Sequence, residues 1–157
     1  MTNTEIAKIF REIADFLELK GENPYKIRAY RTVVRSIEEL PVSVEDLDAQ
    51  GRLREIPGAG EAIRKKISEL VTTGQLKYYE NLKVEFPDGI GDLLAIPGVG
   101  PKTAQRLYHE LGISSIDGLE QAIVSGKASS LPRMGVKMRE NILRGIQELR
   151  NPQRSQD

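Results

Sequence analysis

The sequence predicts an all-α chain of two small helical domains, and three observations carry that prediction. Apolar residues recur at three- and four-residue intervals along most of the 157 positions. No segment sustains the alternation of a strand. A short unit of apolar residue, proline, glycine, small residue and glycine lies between helical stretches twice, at Ile56-Pro57-Gly58-Ala59-Gly60 and Ile96-Pro97-Gly98-Val99-Gly100, with the copies 40 residues apart. A supersecondary unit repeated in matching context implies a repeated domain plan. The first domain is drawn over 1–86 and the second over 87–150, and 151–157 reads as a polar tail.

In chain order, Ile6, Ile9, Phe10, Ile13 and Leu17 share one face and predict a helix to about Leu19, ended by Gly21. Asn23 and Pro24 read as an N-cap and a first-turn proline. The helix they open carries Ile27, Tyr30, Val34 and Ile37 on one face and Arg28, Arg31 and Arg35 on another, and Leu40-Pro41 closes it. Ser43 caps a short helix through Leu47, Gly51 breaks it, and a turn through Leu53 and Glu55 enters the first hairpin. Beyond Gly60 a helix takes in Ile63, Ile67, Leu70 and Val71 and stops at Gly74; Leu76 to Phe86 reads as one more helix, and Pro87-Asp88-Gly89 separates the domains.

In the second domain Leu93-Leu94 leads into the second hairpin. Pro101 opens a helix through Ala104, Leu107 and Leu111 that Gly112 ends, and Ser115 caps the next, which ends near Gly126. An altered third copy follows at Leu131-Pro132-Arg133-Met134-Gly135, with Arg133 in place of the first glycine, and its helix takes in Met138, Ile142, Ile146 and Leu149.

Composition excludes several classes of function. Apolar content of 39% with 29% charged residues is that of a globular chain. The absence of cysteine excludes disulfides and thiolate metal sites, and a single histidine, His109, excludes a histidine cluster. The N-terminal residues lack the basic and apolar regions of a signal peptide, and no apolar run reaches membrane-spanning length. The expectation is a cytoplasmic, nucleoid-associated monomer with no membrane partner. Basic and acidic residues balance at 23 each, which argues against a bulk polycation but not against local phosphate sites.

The hairpins supply such sites. Glycine permits positive φ and, lacking Cβ, lets a partner approach the backbone. The helix that follows begins with N–H groups that have no intrahelical acceptor and carry the positive end of the dipole. Gly58, Ala59 and Gly60, and Gly98, Val99 and Gly100, therefore form candidate anion pockets, and Lys102 and Thr103 add a cation and a hydroxyl at the second. Contacts of this kind read the DNA backbone rather than its bases, so binding is expected to be sequence-independent and salt-sensitive. Arg28, Arg31 and Arg35 either track a template strand or form a solvated face, and the third copy either grips phosphate or only packs two helices.

With these motifs in hand, the chain resembles the N-terminal region of the family X DNA polymerases, of the bacterial and archaeal type. The match is carried by residues 20–31 (Lys20-Gly21-Glu22-Asn23-Pro24-Tyr25-Lys26-Ile27-Arg28-Ala29-Tyr30-Arg31), by both hairpins, and by Leu107-Tyr108-His109-Glu110-Leu111-Gly112-Ile113. The resemblance implies a lyase-like domain followed by a fingers domain, with DNA, gapped or nicked, as partner. It implies that the first hairpin grips the strand downstream of a gap and the second the primer side. It requires no cofactor but implies a monovalent cation, Na+ or K+, held by the carbonyls of Arg54, Ile56 and Ala59 at the first hairpin and of Leu94, Ile96 and Val99 at the second. The metal-binding aspartates of the polymerase palm have no counterpart: Asp46-Leu47-Asp48 reads as a solvated helix face, and no polymerisation is expected of this chain alone.

Some family members excise a 5′-deoxyribose phosphate through a lysine Schiff base. Lys66 stands at the matching position, and Lys26 and Tyr30 match residues that line the pocket. Arg64 and Lys65 are expected to favour a neutral Lys66 amine by like-charge repulsion. Tyr25, Ala62, Arg54 and Tyr78 depart from the lyase members, which predicts a weakened 5′-phosphate pocket. Lys66 is thus either a lyase nucleophile or a surface lysine on DNA phosphate. Tyr30 is either pocket or core, and Tyr78 and Tyr79 either stack a base or pack. Three functions stay open: a DNA-repair module with lyase activity, a non-catalytic DNA-binding adaptor, and a protein-interaction scaffold.

Overall fold

The protein is described by a computed structural model covering residues 1–87 and 89–151. Asp88, at the expected domain break, and 152–157, nearly all of the expected tail, lie outside the described residues. The fold is all-helical, with no strand among the described residues, as the periodicity predicts. The chain divides into two compact units, Met1–Glu85 and a second from Phe86 onward.

In the first unit α1 (Asn3–Lys20) and α2 (Pro24–Glu39) form the main packing pair. Thr2 caps α1, its hydroxyl accepting from the Glu5 N–H, and Gly21 ends the helix in the left-handed region. Asn23 caps α2 by accepting from the Tyr25 N–H at 2.8 Å. Phe10, Ile13 and Leu17 of α1 and Tyr30, Val33 and Ile37 of α2 are buried. The short helix α3 (Val44–Ala49), capped by Ser43, is stitched to α1 through Asn3, which donates to the Val42 carbonyl and accepts from the Val44 N–H, each at 2.9 Å. A 3-10 turn, Leu53–Glu55, leads to the first hairpin, and α4 (Glu61–Thr73) and α5 (Lys77–Lys83) complete the unit.

The helix expected over 76–86 covers only Lys77–Lys83. Proline at 87 disfavours helical backbone at the residue before it, and Val84, 81% exposed, has no apolar surface to hold it in a further turn.

The second unit comprises α6 (Ile90–Leu94), α7 (Pro101–Leu111), α8 (Ile116–Val124), a 3-10 turn at Lys127–Ser130, and α9 (Val136–Arg150). Its core gathers Leu93, Ile96, Ala104, Leu107, Leu119 and Ile142, all buried. Arg150 near the end of α9 pairs with Asp117 and Glu120 of α8.

Candidate functional site

All three hairpins share one backbone conformation. The exposed residue after proline has positive φ in each: 81° at Gly58, 94° at Gly98 and 66° at Arg133. A turn hydrogen bond closes each, from Ala59 N–H to Ile56 O at 3.1 Å, from Val99 to Ile96 at 3.0 Å and from Met134 to Leu131 at 3.2 Å. Gly60, Gly100 and Gly135 are extended N-caps of α4, α7 and α9, and no side chain caps any of these helices. Their first N–H groups therefore face outward without a side-chain acceptor. The apolar residues alternate with the turn: Ile56 and Ala59, Ile96 and Val99, Leu131 and Met134 are buried. Ala59 and Val99 thus contribute backbone to the sites, while their side chains hold the turn to the core.

The third copy is complete in backbone, and Arg133 occupies a left-handed conformation that costs a non-glycine residue about 1–2 kcal/mol. Its turn is held by the Arg106 guanidinium, which donates to the Pro132 carbonyl at 2.9 Å. Arg133→Gly relieves that conformation but gains freedom in the unfolded chain; a net stabilisation of about 0.5–1 kcal/mol is expected by thermal melting.

Each of the first two hairpins is seated on a helix. At the first, Ser36 on α2 donates to the Pro57 carbonyl at 2.7 Å, and a Cβ on Gly58 would come within 2.7 Å of the Thr32 methyl. At the second, α9 approaches through Gly145, where a Cβ would stand 2.8 Å from the Pro97 carbonyl oxygen. A Cβ at Gly98 meets nothing within 4 Å. Gly58→Ala and Gly98→Ala therefore share the cost of positive φ, but Gly58→Ala also displaces Thr32. Chemical denaturation is expected to show Gly58→Ala the more destabilising by about 1 kcal/mol.

The other predicted contact residues separate. Lys102 is exposed and Thr103 half-buried in the first turn of α7. Arg28 is exposed, its guanidinium 5.8 Å from the centre of the Tyr25 ring. Arg31 instead turns to α1 and pairs with Asp15 at 2.9 Å and Glu18 at 3.3 Å. Burial raises the Asp15 pKa despite this partner. Asp46 is exposed and Asp48 half-buried, and no group of three metal-ligating side chains occurs among the described residues.

The carbonyls expected to hold a cation differ between hairpins. At the first, the Arg64 guanidinium already donates to the Ala59 carbonyl at 2.7 Å, and Arg54 and Arg64 line one depression of about 250 Å³. At the second, the buried methyl of Ala104 stands at the position corresponding to Arg64. Among the described residues no side chain donates to the Val99 carbonyl there. One of the three carbonyls expected to hold a cation at the first hairpin thus already accepts from a guanidinium.

Lys66, Lys26 and Tyr30 come together around Tyr78. The ammonium groups of Lys66 and Lys26 lie 4.7 Å and 5.7 Å from the centre of the Tyr78 ring, and that ring stacks on Tyr30 at 6.3 Å. Tyr30 stacks in turn on Phe10 at 6.1 Å. Tyr30 is 3% exposed, so it is core beneath Tyr78; burial and the neighbouring Tyr78 push its phenol well above the usual range. The Lys66 pKa is lowered, first by burial and then by the charge of Lys26. Arg64 and Lys65 are not the cause: Arg64 turns to the Ala59 carbonyl, and Lys65 sits 3.5 Å from Glu61. An open depression of about 430 Å³ exposes Lys66 beside Ala62, Lys65 and Glu69. Tyr79 packs, its hydroxyl bonded to Glu12 and its ring under Lys83. His109 is exposed in the last turn of α7. Sequence reasoning missed Tyr78 as the shared floor and Arg64 as a hairpin ligand. The signal for Arg64 was available, because helical side chains lean towards the N-terminus and a second-turn residue overhangs the hairpin.

Comparison with known proteins agrees with this geometry. The family described as "Helix-hairpin-helix domain" matches residues 1–76, and the family described as "SAM-like Helix-hairpin-helix tandem" matches 90–148. The chain is 32% identical over 148 residues to DNA polymerase/3'-5' exonuclease PolX of Bacillus subtilis (strain 168), a match covering 94% of this chain and 25% of that protein. It is 32% identical over 109 residues to DNA polymerase lambda of Arabidopsis thaliana, covering 69% of this chain and 20% of that protein. The chain thus spans a quarter or less of the length of these relatives.

Proposed function

We propose, for a chain related along nearly its whole length to the N-terminal region of the family X DNA polymerases, that it binds DNA through the sugar–phosphate backbone in DNA repair. The observation that carries this is the pair of matching hairpins, each opening onto a helix N-terminus that no side chain caps. A phosphate oxygen in that position accepts from N–H groups that otherwise have only water, at the positive end of the helix. Lys102 and Thr103 add a charge-assisted bond and a hydroxyl at the second grip. Gaps and nicks are the preferred substrate, with the first hairpin on the strand downstream of the gap and the second on the primer side. Cytoplasmic placement at the nucleoid and a monomeric state belong to the same proposal. Among the described residues no helix is long and apolar enough to cross a membrane.

The test is fluorescence anisotropy with gapped, nicked and intact duplexes across a salt series. Affinity falling steeply with salt, and tighter on gapped DNA, is expected. Salt-dependent binding equal on all three substrates would leave a DNA-binding adaptor without gap preference; no binding at all would leave the protein-interaction scaffold.

A second activity, 5′-deoxyribose-phosphate lyase, is favoured by the lowered Lys66 pKa and its open pocket. The neutral amine adds to the C1′ aldehyde of the opened sugar and water departs, leaving a protonated imine. The C2′ proton then passes to water, the C3′–O bond breaks with the phosphate staying on the DNA, and water hydrolyses the unsaturated imine to free the amine. Borohydride is expected to trap an adduct that Lys66→Ala abolishes. Because Lys26 lowers the Lys66 pKa, Lys26→Met raises it, and the pH profile of trapping is expected to move to higher pH. An adduct that persists in Lys66→Ala, or none in the unaltered chain, removes the lyase activity and leaves Lys66 as a phosphate contact.

A further inference from the structure

We propose that the first hairpin carries its own cation: the Arg64 guanidinium takes the place at the Ala59 carbonyl that a monovalent cation takes at the second hairpin, so only the second grip depends on K+ or Na+. The inference rests on the DNA-binding function proposed above and deepens it. Its basis is the 2.7 Å bond from Arg64 Nη1 to Ala59 O. Arg64 sits in the second turn of α4, and its side chain leans back towards the hairpin. A cation near a helix N-terminus is disfavoured by the dipole, so the carbonyl acceptor is what holds it there. The guanidinium never deprotonates and cannot dissociate from the chain. It therefore leaves a fixed positive charge beside the phosphate seat, where an exchangeable ion would track the composition of the buffer. Ala104, buried at the corresponding position of α7, can supply nothing of the kind to Val99.

The experiment uses the full chain, labelled with ¹⁵N, bound to a gapped duplex in tetramethylammonium chloride. This cation preserves ionic strength but is too large for a carbonyl mouth. KCl is then exchanged in at constant ionic strength, with anisotropy recorded in parallel. In the unaltered protein the Gly98 and Gly100 amides are expected to shift saturably with K+, while Gly58 and Gly60 stay still. In Arg64→Ala, and in Arg64→Met, which keeps side-chain bulk, Gly58 and Gly60 become K+-responsive. DNA affinity of these variants in tetramethylammonium falls about tenfold and recovers with K+. Gly58 and Gly60 responding in the unaltered protein, silence at both hairpins, or Arg64 variants indistinguishable from it would overturn the inference. Flat anisotropy in both salts would instead remove the DNA-binding function itself, a result distinct from all of these.

Discussion

The double variant Gly60→Asp, Gly100→Asp is expected to melt at higher temperature than the unaltered chain and to bind DNA about 100-fold more weakly. Both residues already have the extended backbone of an ordinary N-cap, with φ of −71° and −97°, and an added Cβ meets nothing within 4 Å at either. Aspartate fits without strain, and its carboxylate accepts from the free N–H groups of the first turn. Each cap should add about 0.5–1 kcal/mol. The same carboxylate stands in the seat proposed for the DNA phosphate, so it removes that contact and repels its replacement. Stability and affinity therefore move in opposite directions, which a variant that merely damages the fold cannot do. Melting and anisotropy at one fixed salt concentration read both. Higher stability with unchanged affinity would remove the hairpins as grips. Gly135→Asp, with the same cap chemistry, reads whether the third copy also meets DNA.

The second large effect is expected at Gly145, far along the sequence from the hairpin it serves. Gly145→Val places a branched side chain where even a Cβ stands 2.8 Å from the Pro97 carbonyl and 3.2 Å from Ile96 Cγ2. The better helix propensity of valine offsets only a few tenths of a kcal/mol. Overpacking against backbone costs about 1–3 kcal/mol, and the upper part of that range is expected because the obstacle is main chain. For a unit of this size that lowers the melting temperature by about 10–20 °C. Calorimetry gives the size of the loss, and amide shifts concentrated at Ile96–Val99 identify its origin. A melting temperature unchanged within a degree would mean that α9 does not seat the second hairpin.

The fold was legible in the sequence wherever local chemistry decides it. Periodicity placed the long helices, Ser and Asn caps and glycine stops set many of their ends, and the repeated proline-glycine unit located both hairpins. The helix expected over 76–86 is the exception: it stops at Lys83, ahead of Pro87, because the restriction proline places on the preceding backbone outweighs the apolar residues there. The site was legible only in part. Resemblance gathers Lys26, Tyr30 and Lys66, but proximity in sequence points to Arg64 and Lys65 as the charges acting on Lys66. Helical geometry sends Arg64 back over the hairpin and Lys65 to Glu61, and the cation that acts on Lys66 comes from another helix. Glycine at 145, inside α9, is explained only by the tertiary approach of Pro97. Long-range contacts of this kind leave no periodic mark.

The tyrosine stack beneath the two lysines also makes the protein its own optical reporter. The chain has no tryptophan and five tyrosines, so phenol emission is not masked by an indole. Tyr30 and Tyr78 lie in parallel contact, and two ammonium groups face Tyr78. A molecule that enters beside Lys66 changes the field and the quenching at that ring. Occupancy of the pocket can thus be followed by unlabelled fluorescence, with Tyr78→Phe as the control that isolates the signal.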